Sequence, residues 1–376
     1  MIVDTLTLQI ERLEIEERYL TRFQRIRSSQ AFKYVFCPDV VKDGYLPRIT
    51  IKKKESQFRA GFYTENVDIE FSAPKIVYGT NYFGVDENDY NGVVEGLFEK
   101  LKFIFNGYEL SREQIQRSNI KTIAFAFNFI LPKDYAHPVE FLKIIPFFDI
   151  GKNYNRFKDT YYTEGTEIGF CGRIYNKQVS WKLYDKGAEI IDNAKSTEEL
   201  RTASKIKQGL LPDKVIRLEI TYQNRFSLKR HLATRTDHNN DRERHLSEVF
   251  NNKLCKSILL ESFNKFADVV NVQALDMPIY PVDSFLKVAK SCKMPLFDAY
   301  ALLGKSLATQ QAGSLQLKLI SDNYYSKQDR ARADKKFKRF ILAHSIPSFT
   351  LKRFIEECRK QLVEFKIMKP DNLPTQ

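Results

Sequence analysis

Apolar and polar residues alternate in several short segments of this chain. The pattern is clearest in VDIEF (67–71), IAFAFNF (123–129) and IRLEITY (216–222), in which every second residue is a large apolar one. Successive side chains of a β-strand point to opposite faces, so each segment predicts a strand with one apolar face. Strands with a second, polar face are typical of an antiparallel sheet.

Turn and helix signals between these segments predict the order of the elements. They predict strands at 2–10, 120–131 and 214–222 and helices at 86–105, which stops before Gly107, and near 138–146. They also predict a hairpin at 58–71 that turns at Thr64-Glu65 and a hairpin at 166–184 that turns at Asn176-Lys177. One or two further helices are predicted in 185–210. Strand patterns fade after about residue 225. We therefore expect an α+β fold, with an antiparallel-sheet domain at 1–235 and a mainly helical region at 236–376.

Composition limits the class of protein. A chain of 376 residues suggests two domains, and a formal net charge of +13 favours a polyanionic partner such as nucleic acid. The cysteines are scattered without metal-ligand spacing, which indicates a reducing compartment (Cys37, Cys171, Cys255, Cys292 and Cys358). No apolar run has the length of a membrane span, so we expect a cytoplasmic protein without a membrane partner.

Three carboxylates are candidates for a metal site. Strand alternation puts Asp68, Glu70 and Glu219 on the faces opposite the apolar residues of their strands. If these strands share a sheet, the three acids would converge, and clustered carboxylates suit Mg²⁺ or Mn²⁺. The same acids also fit the solvated face of a half-exposed sheet.

Tyr184 stands where a predicted strand meets a predicted helix, in WKLYDKGAEI (181–190). The phenol either packs in the interior or holds its oxygen over a site. A phenol has a pKa of about 10 and is a poor nucleophile until its phenolate is stabilised. Nearby Lys186 is the residue that we expect to stabilise it.

Four segments, in the same order along the chain, resemble the filamentous-phage gene II/X family of replication initiators. They are VDIEFSAPKIVYGTNYFG (67–84), IKTIAFAFNF (120–129), VSWKLYDKGAEI (179–190) and KVIRLEITYQNRFSLKRHL (214–232). The resemblance covers residues 1 to about 235 and matches the C-terminal third only loosely.

The resemblance implies a rolling-circle replication initiator of a phage or plasmid, with a sheet like that of Rep nucleases but without their histidine pair. Such an enzyme nicks one strand of origin DNA, stays linked to the 5′ phosphate through tyrosine, leaves a 3′ hydroxyl and later rejoins the strand. Its partners are double- and single-stranded origin DNA and the helicase and polymerase of a bacterial host. Tyr184 would then be the nucleophile, with Lys186 beside it. Glu219, with Glu70 or Asp68, would hold Mg²⁺ or Mn²⁺, and Arg217 would touch the scissile region or brace Glu219.

One departure from the family weakens this assignment. The family carries Arg-Ile-Asp where this chain has Thr122, Ile123 and Ala124, so the expected aspartate is missing. Two alternatives follow: an origin-binding protein that has lost nicking, or a mobilisation relaxase. The relaxase usually carries paired histidines, and the histidines of this chain are isolated (His137, His231, His238, His245 and His344).

Basic residues are candidates for phosphate contacts. The segment RARADKKFKR (330–339) is either a phosphate clamp or a solvated helix face, and residues 295–321 could form a helix-turn-helix. The predicted DNA-binding residues are Lys75, Arg217, Arg225, Lys229, Arg230, Arg332, Lys335, Lys336, Lys338 and Arg339.

Overall fold

The computed structural model of the protein describes residues 3–11, 13, 15–28, 31–55, 62–132, 142, 155–163, 166–233, 245–268, 278–279, 282–302, 304, 326, 328, 332, 335 and 349–372. The predicted helix near 138–146 lies outside these residues except for Leu142. Most of the predicted helix-turn-helix at 295–321 also lies outside them.

A ten-stranded antiparallel sheet dominates the described residues, in the order β2-β3-β4-β5-β1-β6-β10-β9-β8-β7. The strands are β1 Val3–Glu11, β2 Gln24–Ser28, β3 Ala31–Phe36, β4 Arg48–Glu55, β5 Phe62–Ser72, β6 Asn119–Ile130, β7 Asn155–Thr163, β8 Thr166–Tyr175, β9 Val179–Asp185 and β10 Val215–Tyr222. A separate two-stranded sheet pairs β11, Pro278–Ile279, with β12, Phe349–Thr350. The predicted α+β fold with an antiparallel sheet is confirmed.

The described residues also form helices. They are α1 Val40–Asp43, α2 Ala73–Tyr78, α3 Tyr90–Ile104, α4 Arg112–Gln116, α5 Lys186–Asn193, α6 Thr197–Lys207, α7 Arg225–Ala233, α8 Leu246–Val249, α9 Asn252–Asp268, α10 Val282–Ser291 and α11 Leu351–Glu364. None of the helices in the described residues is both long and apolar enough to cross a membrane.

One hydrophobic core covers one face of the sheet. The apolar residues of β5, β6 and β10 enter it together with residues of α3, as the alternation predicts. Helices from beyond residue 235 belong to the same core: Phe263 of α9 packs on Phe129 with ring centroids 5.6 Å apart, and Phe365 stacks on Phe127. The predicted domain division at 235 is therefore not a boundary of this core.

The predicted hairpin at 58–71 is wrong in the described residues. Thr64 and Glu65 lie inside the continuous strand β5, which pairs with β4. The register of the pair shifts there, because Lys52 lies opposite Asn66 while Lys53 lies opposite Thr64. Glu65 is the extra residue of a β-bulge, which bends a strand without reversing it.

The other predicted elements in the described residues are confirmed with small changes of boundary. The hairpin of β8 and β9 turns at 176–178, and β6 and β10 occupy the two strongest alternating segments. The connection from β9 to β10 contains α5 and α6, and α5 packs against strands β7 to β10. This arrangement places the start of α5 beside the polar face of β9 and β10.

Candidate active site

The polar faces of β9 and β10 form the candidate site. In the antiparallel register of these strands, Tyr184 lies opposite Arg217 and Lys182 lies opposite Glu219. The intervening residues Leu183 and Leu218 point into the core. Strand alternation therefore directs the tyrosine, the lysine, the arginine and the glutamate to one side of the sheet, away from the core.

Glu219 connects the phenol of Tyr184 with the ammonium group of Lys182. The Tyr184 hydroxyl lies 3.4 Å from Glu219 Oε2, and Lys182 Nζ donates to Glu219 Oε1 at 2.7 Å. Thr221 Oγ1 also donates to Oε1, at 3.2 Å. Burial acts to raise the pKa of Glu219, but the charge and hydrogen bond of Lys182, together with the charge of Arg217 and the hydrogen bond of Thr221, bring the pKa below its ordinary value. Glu219 is therefore a carboxylate that accepts from three side chains.

The environment of Tyr184 keeps its phenol protonated. The residue is only 7% exposed. Burial raises the pKa of the phenol well above its ordinary value, and the negative charge of Glu219 adds to this effect, while the positive charge of Arg217 opposes it. Because a phenolate is disfavoured in the resting site, Tyr184 needs a base at the moment of attack. Glu219 is the carboxylate in contact with its hydroxyl.

Arg217 connects the buried polar groups of the site. Its side chain is fully buried, and its Nε donates to Asn128 Oδ1 at 2.7 Å. Nη2 donates to the backbone carbonyl of Asn81, and Nη1 lies 3.5 Å from Oδ2 of Asp4. Burial raises the pKa of Asp4, and the charge of Arg217 opposes this rise. Arg217 braces the site and has no exposed surface with which to contact DNA, which corrects its assignment as a DNA contact.

Lys186 lies beneath the tyrosine ring, 5.9 Å from its centroid. Its Nζ donates to Asn81 Oδ1 at 2.8 Å and to Glu189 Oε2 at 2.5 Å. Burial, together with the positive charge of Arg217, lowers the pKa of Lys186 to about 8. The ammonium group that contacts the glutamate of the site belongs to Lys182 instead.

The local sequence fixes the start of α5 next to the site. The Asp185 carboxylate accepts from the backbone N–H of Ala188 at 2.9 Å, which caps the helix. A Cβ atom at Gly187 would overlap the carbonyl oxygen of Asp213, just before β10. Glycine is required there so that the helix can approach the neighbouring strand closely.

Asp68 does not converge with Glu219, contrary to the sequence prediction. Asp68 lies opposite Gln9 of β1, and Gln9 lies opposite Asn119 at the start of β6. Glu219 lies opposite Ala126, near the other end of the same strand. At about 3.3 Å per residue, the offset between Asn119 and Ala126 along β6 is roughly 20 Å.

Glu70 is also separated from Glu219. It is exposed and lies opposite Thr7 on β1 and Arg48 on β4. The carboxylate of Asp68 is occupied elsewhere, because Lys121 Nζ donates to its Oδ2 at 2.6 Å. Both acids are distant because β1 and β6 lie between β5 and β10 in the sheet.

The predicted Mg²⁺ or Mn²⁺ ligands therefore do not fit a metal site. No group of three or more histidine, cysteine, aspartate or glutamate side chains suited to a metal occurs in the described residues. Around Tyr184, Glu219 accepts from Lys182, Glu189 accepts from Lys186, and buried Asp4 is paired with Arg217. Each carboxylate is thus neutralised by a cationic side chain of the protein itself.

Ala124 occupies the position where the family resemblance places an aspartate. It lies opposite Thr221 on β10, on the same face as Glu219, and it is buried. On its other side, β1 has an irregular register between Val3 and Leu6, the part of the strand that carries Asp4. The side chain at position 124 is therefore a methyl group on the face that carries Glu219, and it supplies no metal ligand.

The predicted DNA contacts are dispersed. Lys75 is mostly buried and paired with Glu199 at 2.5 Å. Arg225 is exposed and lies 3.9 Å from Glu11, and Lys229 is half-buried. Arg332 and Lys335 are exposed. The structure does not describe the side chain of Arg230, and it does not describe Lys336, Lys338 and Arg339.

Three important residues were not among the sequence candidates. Lys182 could have been found, because it lies two positions before Tyr184 in a strand and so shares its face. Asn128 falls among the residues of IAFAFNF (123–129) that alternate with the apolar ones, but the alternation gives it no role. Asp4 lies in the first strand, and only the pairing of β1 beside β6 brings it to Arg217.

Comparison with known proteins gives little support for a family. No family model and no curated protein matches the chain. Among solved structures, a rolling circle replication initiator protein from Geobacillus stearothermophilus aligns with 11% identity over 71% of this chain and 95% of its own chain. The TM-score of 0.30 is too low for this similarity to carry an argument about the present chain.

Proposed function

We propose that this chain is a replication initiator of the rolling-circle type, which nicks one strand of origin DNA with Tyr184 as nucleophile. The single observation that carries the proposal is the Tyr184 hydroxyl at 3.4 Å from Glu219 Oε2, on the polar face of the sheet. The resemblance of four segments in family order and the net charge of +13 support the same function.

The reaction starts with attack of the Tyr184 oxygen on a phosphorus atom of the DNA backbone. Glu219 Oε2 accepts the phenolic proton as the bond between oxygen and phosphorus forms. The bond from phosphorus to the 3′ oxygen breaks, which leaves a 5′-phosphotyrosine link and a free 3′ hydroxyl. A host polymerase extends this hydroxyl while a host helicase opens the duplex, and the reverse reaction rejoins the displaced strand in the bacterial cytoplasm. Residues 236–376 supply accessory contacts to the DNA through their basic segments.

A supercoiled plasmid that carries the gene for this chain with its flanking DNA tests the proposal. We expect open circles with protein covalently attached. Tyr184→Phe should abolish them, whereas Tyr63→Phe, a change at an exposed tyrosine, should leave them unchanged. If both variants nick as well as the parent chain, Tyr184 is not the nucleophile.

A second candidate function is origin binding without cleavage. The alanine at position 124 and the separation of Asp68 from Glu219 favour it, because they remove the expected metal carboxylates. Tight binding of the same plasmid without any nick would identify this function.

A further inference from the structure

The ion pair between Lys182 and Glu219 lies on the accessible side of the candidate site. Lys182 Nζ is 2.7 Å from Glu219 Oε1, and its side chain is 32% exposed, compared with 10% for the glutamate. The other cations of the cluster, Arg217 and Lys186, are fully buried and bonded to protein groups. Lys182 is therefore the cationic side chain of this cluster that an incoming phosphate meets first.

A divalent ion would have to displace several protein groups at this position. Both oxygens of Glu219 are engaged by Lys182, Thr221 and Tyr184. Two further acids belong to the cluster. Asp4 accepts from Ser72 and is paired with Arg217, and Glu189 accepts from Lys186. Each of these carboxylates is thus already paired with a cationic side chain of the protein, so positive charge is in place without a metal ion.

We propose that Lys182 takes the place of a divalent metal ion at the reacting phosphate and that cleavage by this chain is therefore metal-independent. This inference rests on the proposed nicking function. The ammonium group of Lys182 neutralises charge on the phosphate in the transition state. It also acts as the general acid for the leaving group.

The protons balance through one relay. The Tyr184 oxygen bonds to phosphorus and its proton passes to Glu219 Oε2. The bond to the 3′ oxygen breaks, and that oxygen takes a proton from Lys182 Nζ. Glu219 then returns a proton to the neutral Lys182 amine across their hydrogen bond. The net change is transfer of the phosphoryl group to tyrosine and of the phenolic proton to the 3′ oxygen. The reverse order of proton transfers rejoins the strand.

The first experiment measures nicking of the supercoiled plasmid by the full chain in EDTA, and then with added Mg²⁺ or Mn²⁺. Equal nicking in EDTA and in either metal, absent in Tyr184→Phe, is the expected result. Nicking that disappears in EDTA and returns with a metal overturns the inference but leaves the proposed function in place. Binding without nicks under every condition overturns both.

The second experiment isolates the general-acid role of Lys182. Lys182→Met should slow nicking of an oligonucleotide of the cleaved sequence by about 10²- to 10⁴-fold. Cleavage of an oligonucleotide with sulfur in place of the 3′ bridging oxygen should be slowed far less by this change, because only the charge of Lys182, and not its proton, is then missing. A thiol has a pKa of only about 8.5, so the sulfur leaves without a proton.

The controls separate this role from a structural one. Lys177→Met removes an exposed lysine in the turn of the same hairpin and should not alter cleavage of either oligonucleotide. If Lys182→Met cleaves the sulfur substrate as slowly as the natural one, Lys182 does not act as general acid and the relay is wrong.

Discussion

The Tyr184 hydroxyl and Glu219 Oε2 lie 3.4 Å apart on neighbouring strands of the sheet. The residues occupy diagonal positions, because Tyr184 lies opposite Arg217 and Glu219 lies opposite Lys182. The pairing of β9 with β10 therefore fixes the backbone positions of both residues. A nucleophile and base held in this way keep their relative positions without a substrate.

Arg217 and Asp4 form a buried ion pair, and its disruption should be costly. Removal of the arginine leaves the Asp4 carboxylate without its cationic partner in the interior, so Arg217→Met should destabilise the fold by about 3–5 kcal/mol. Asp4→Asn in the same chain should recover part of this loss, because the amide carries no charge. Urea unfolding of the single and double variants measures the coupling.

The exposed pair of Arg112 and Glu95 is the matched control for this cycle. Its side chains are both 51% exposed, so its coupling should not exceed about 1 kcal/mol. Equal coupling in the buried and exposed pairs would contradict the role of Arg217 as a brace.

Lys186 should make stability depend on pH in the alkaline range. Burial lowers its pKa from 10.5 to about 8 in the folded protein. Between these values the unfolded chain binds more protons than the folded one, so the contribution of Lys186 to stability rises with pH. Relative to Lys186→Met, the parent chain should gain about 1 kcal/mol per pH unit above about pH 8. Denaturation curves at several pH values test this, and a constant difference between the two proteins would show that Lys186 does not titrate there.

Gly187 should not tolerate a side chain. A Cβ atom at this position meets the Asp213 carbonyl oxygen, so Gly187→Ala should destabilise the protein by about 1–3 kcal/mol and slow nicking. The control is Gly92→Ala in α3, where a Cβ atom would lie 4.0 Å from a Val77 methyl group. That change should be neutral or stabilising, because alanine favours helix more than glycine. Thermal unfolding that ranks the two variants in the opposite order would refute the close approach of α5.

Ala124 should determine whether a metal affects the reaction. Ala124→Asp would add a second carboxylate on the face of Glu219, so the variant should gain nicking when Mg²⁺ or Mn²⁺ is added. Ala124→Asn has nearly the same shape without the charge and should show no such gain. The measurement is the ratio of nicking rates with metal and with EDTA. Identical ratios in both variants would mean that position 124 does not face the reacting phosphate.

The sequence predicts the faces of the strands correctly but not their register. Alternation places Glu219 and Tyr184 away from the core because it depends only on the two-residue repeat within a strand. The register of two paired strands, and the number of strands between two residues, depend on the whole sheet. Alternation therefore could not show that Asp68 lies far from Glu219. The insertion of β1 between β5 and β6 is a property of the tertiary fold.

Two other features of the fold show the same limit. In the sequence, Thr64-Glu65 has the pattern of a turn between two strands. The continuous pairing of β4 with β5 shows that it is a bulge within one strand. The contact of Asp4 with Arg217 joins two strands that do not pair with each other and are distant in the chain. Burial of a charged pair of this kind has no local signal in the sequence.

The role of Tyr184 as nucleophile is decided by the identity of the amino acid that carries DNA after cleavage. The full chain would be reacted with the supercoiled plasmid, digested with nuclease and trypsin, and examined by mass spectrometry. We expect the nucleotide on the tryptic peptide LYDK (183–186), attached to Tyr184. A nucleotide on any other residue, or nicked DNA without a protein link, would contradict the account.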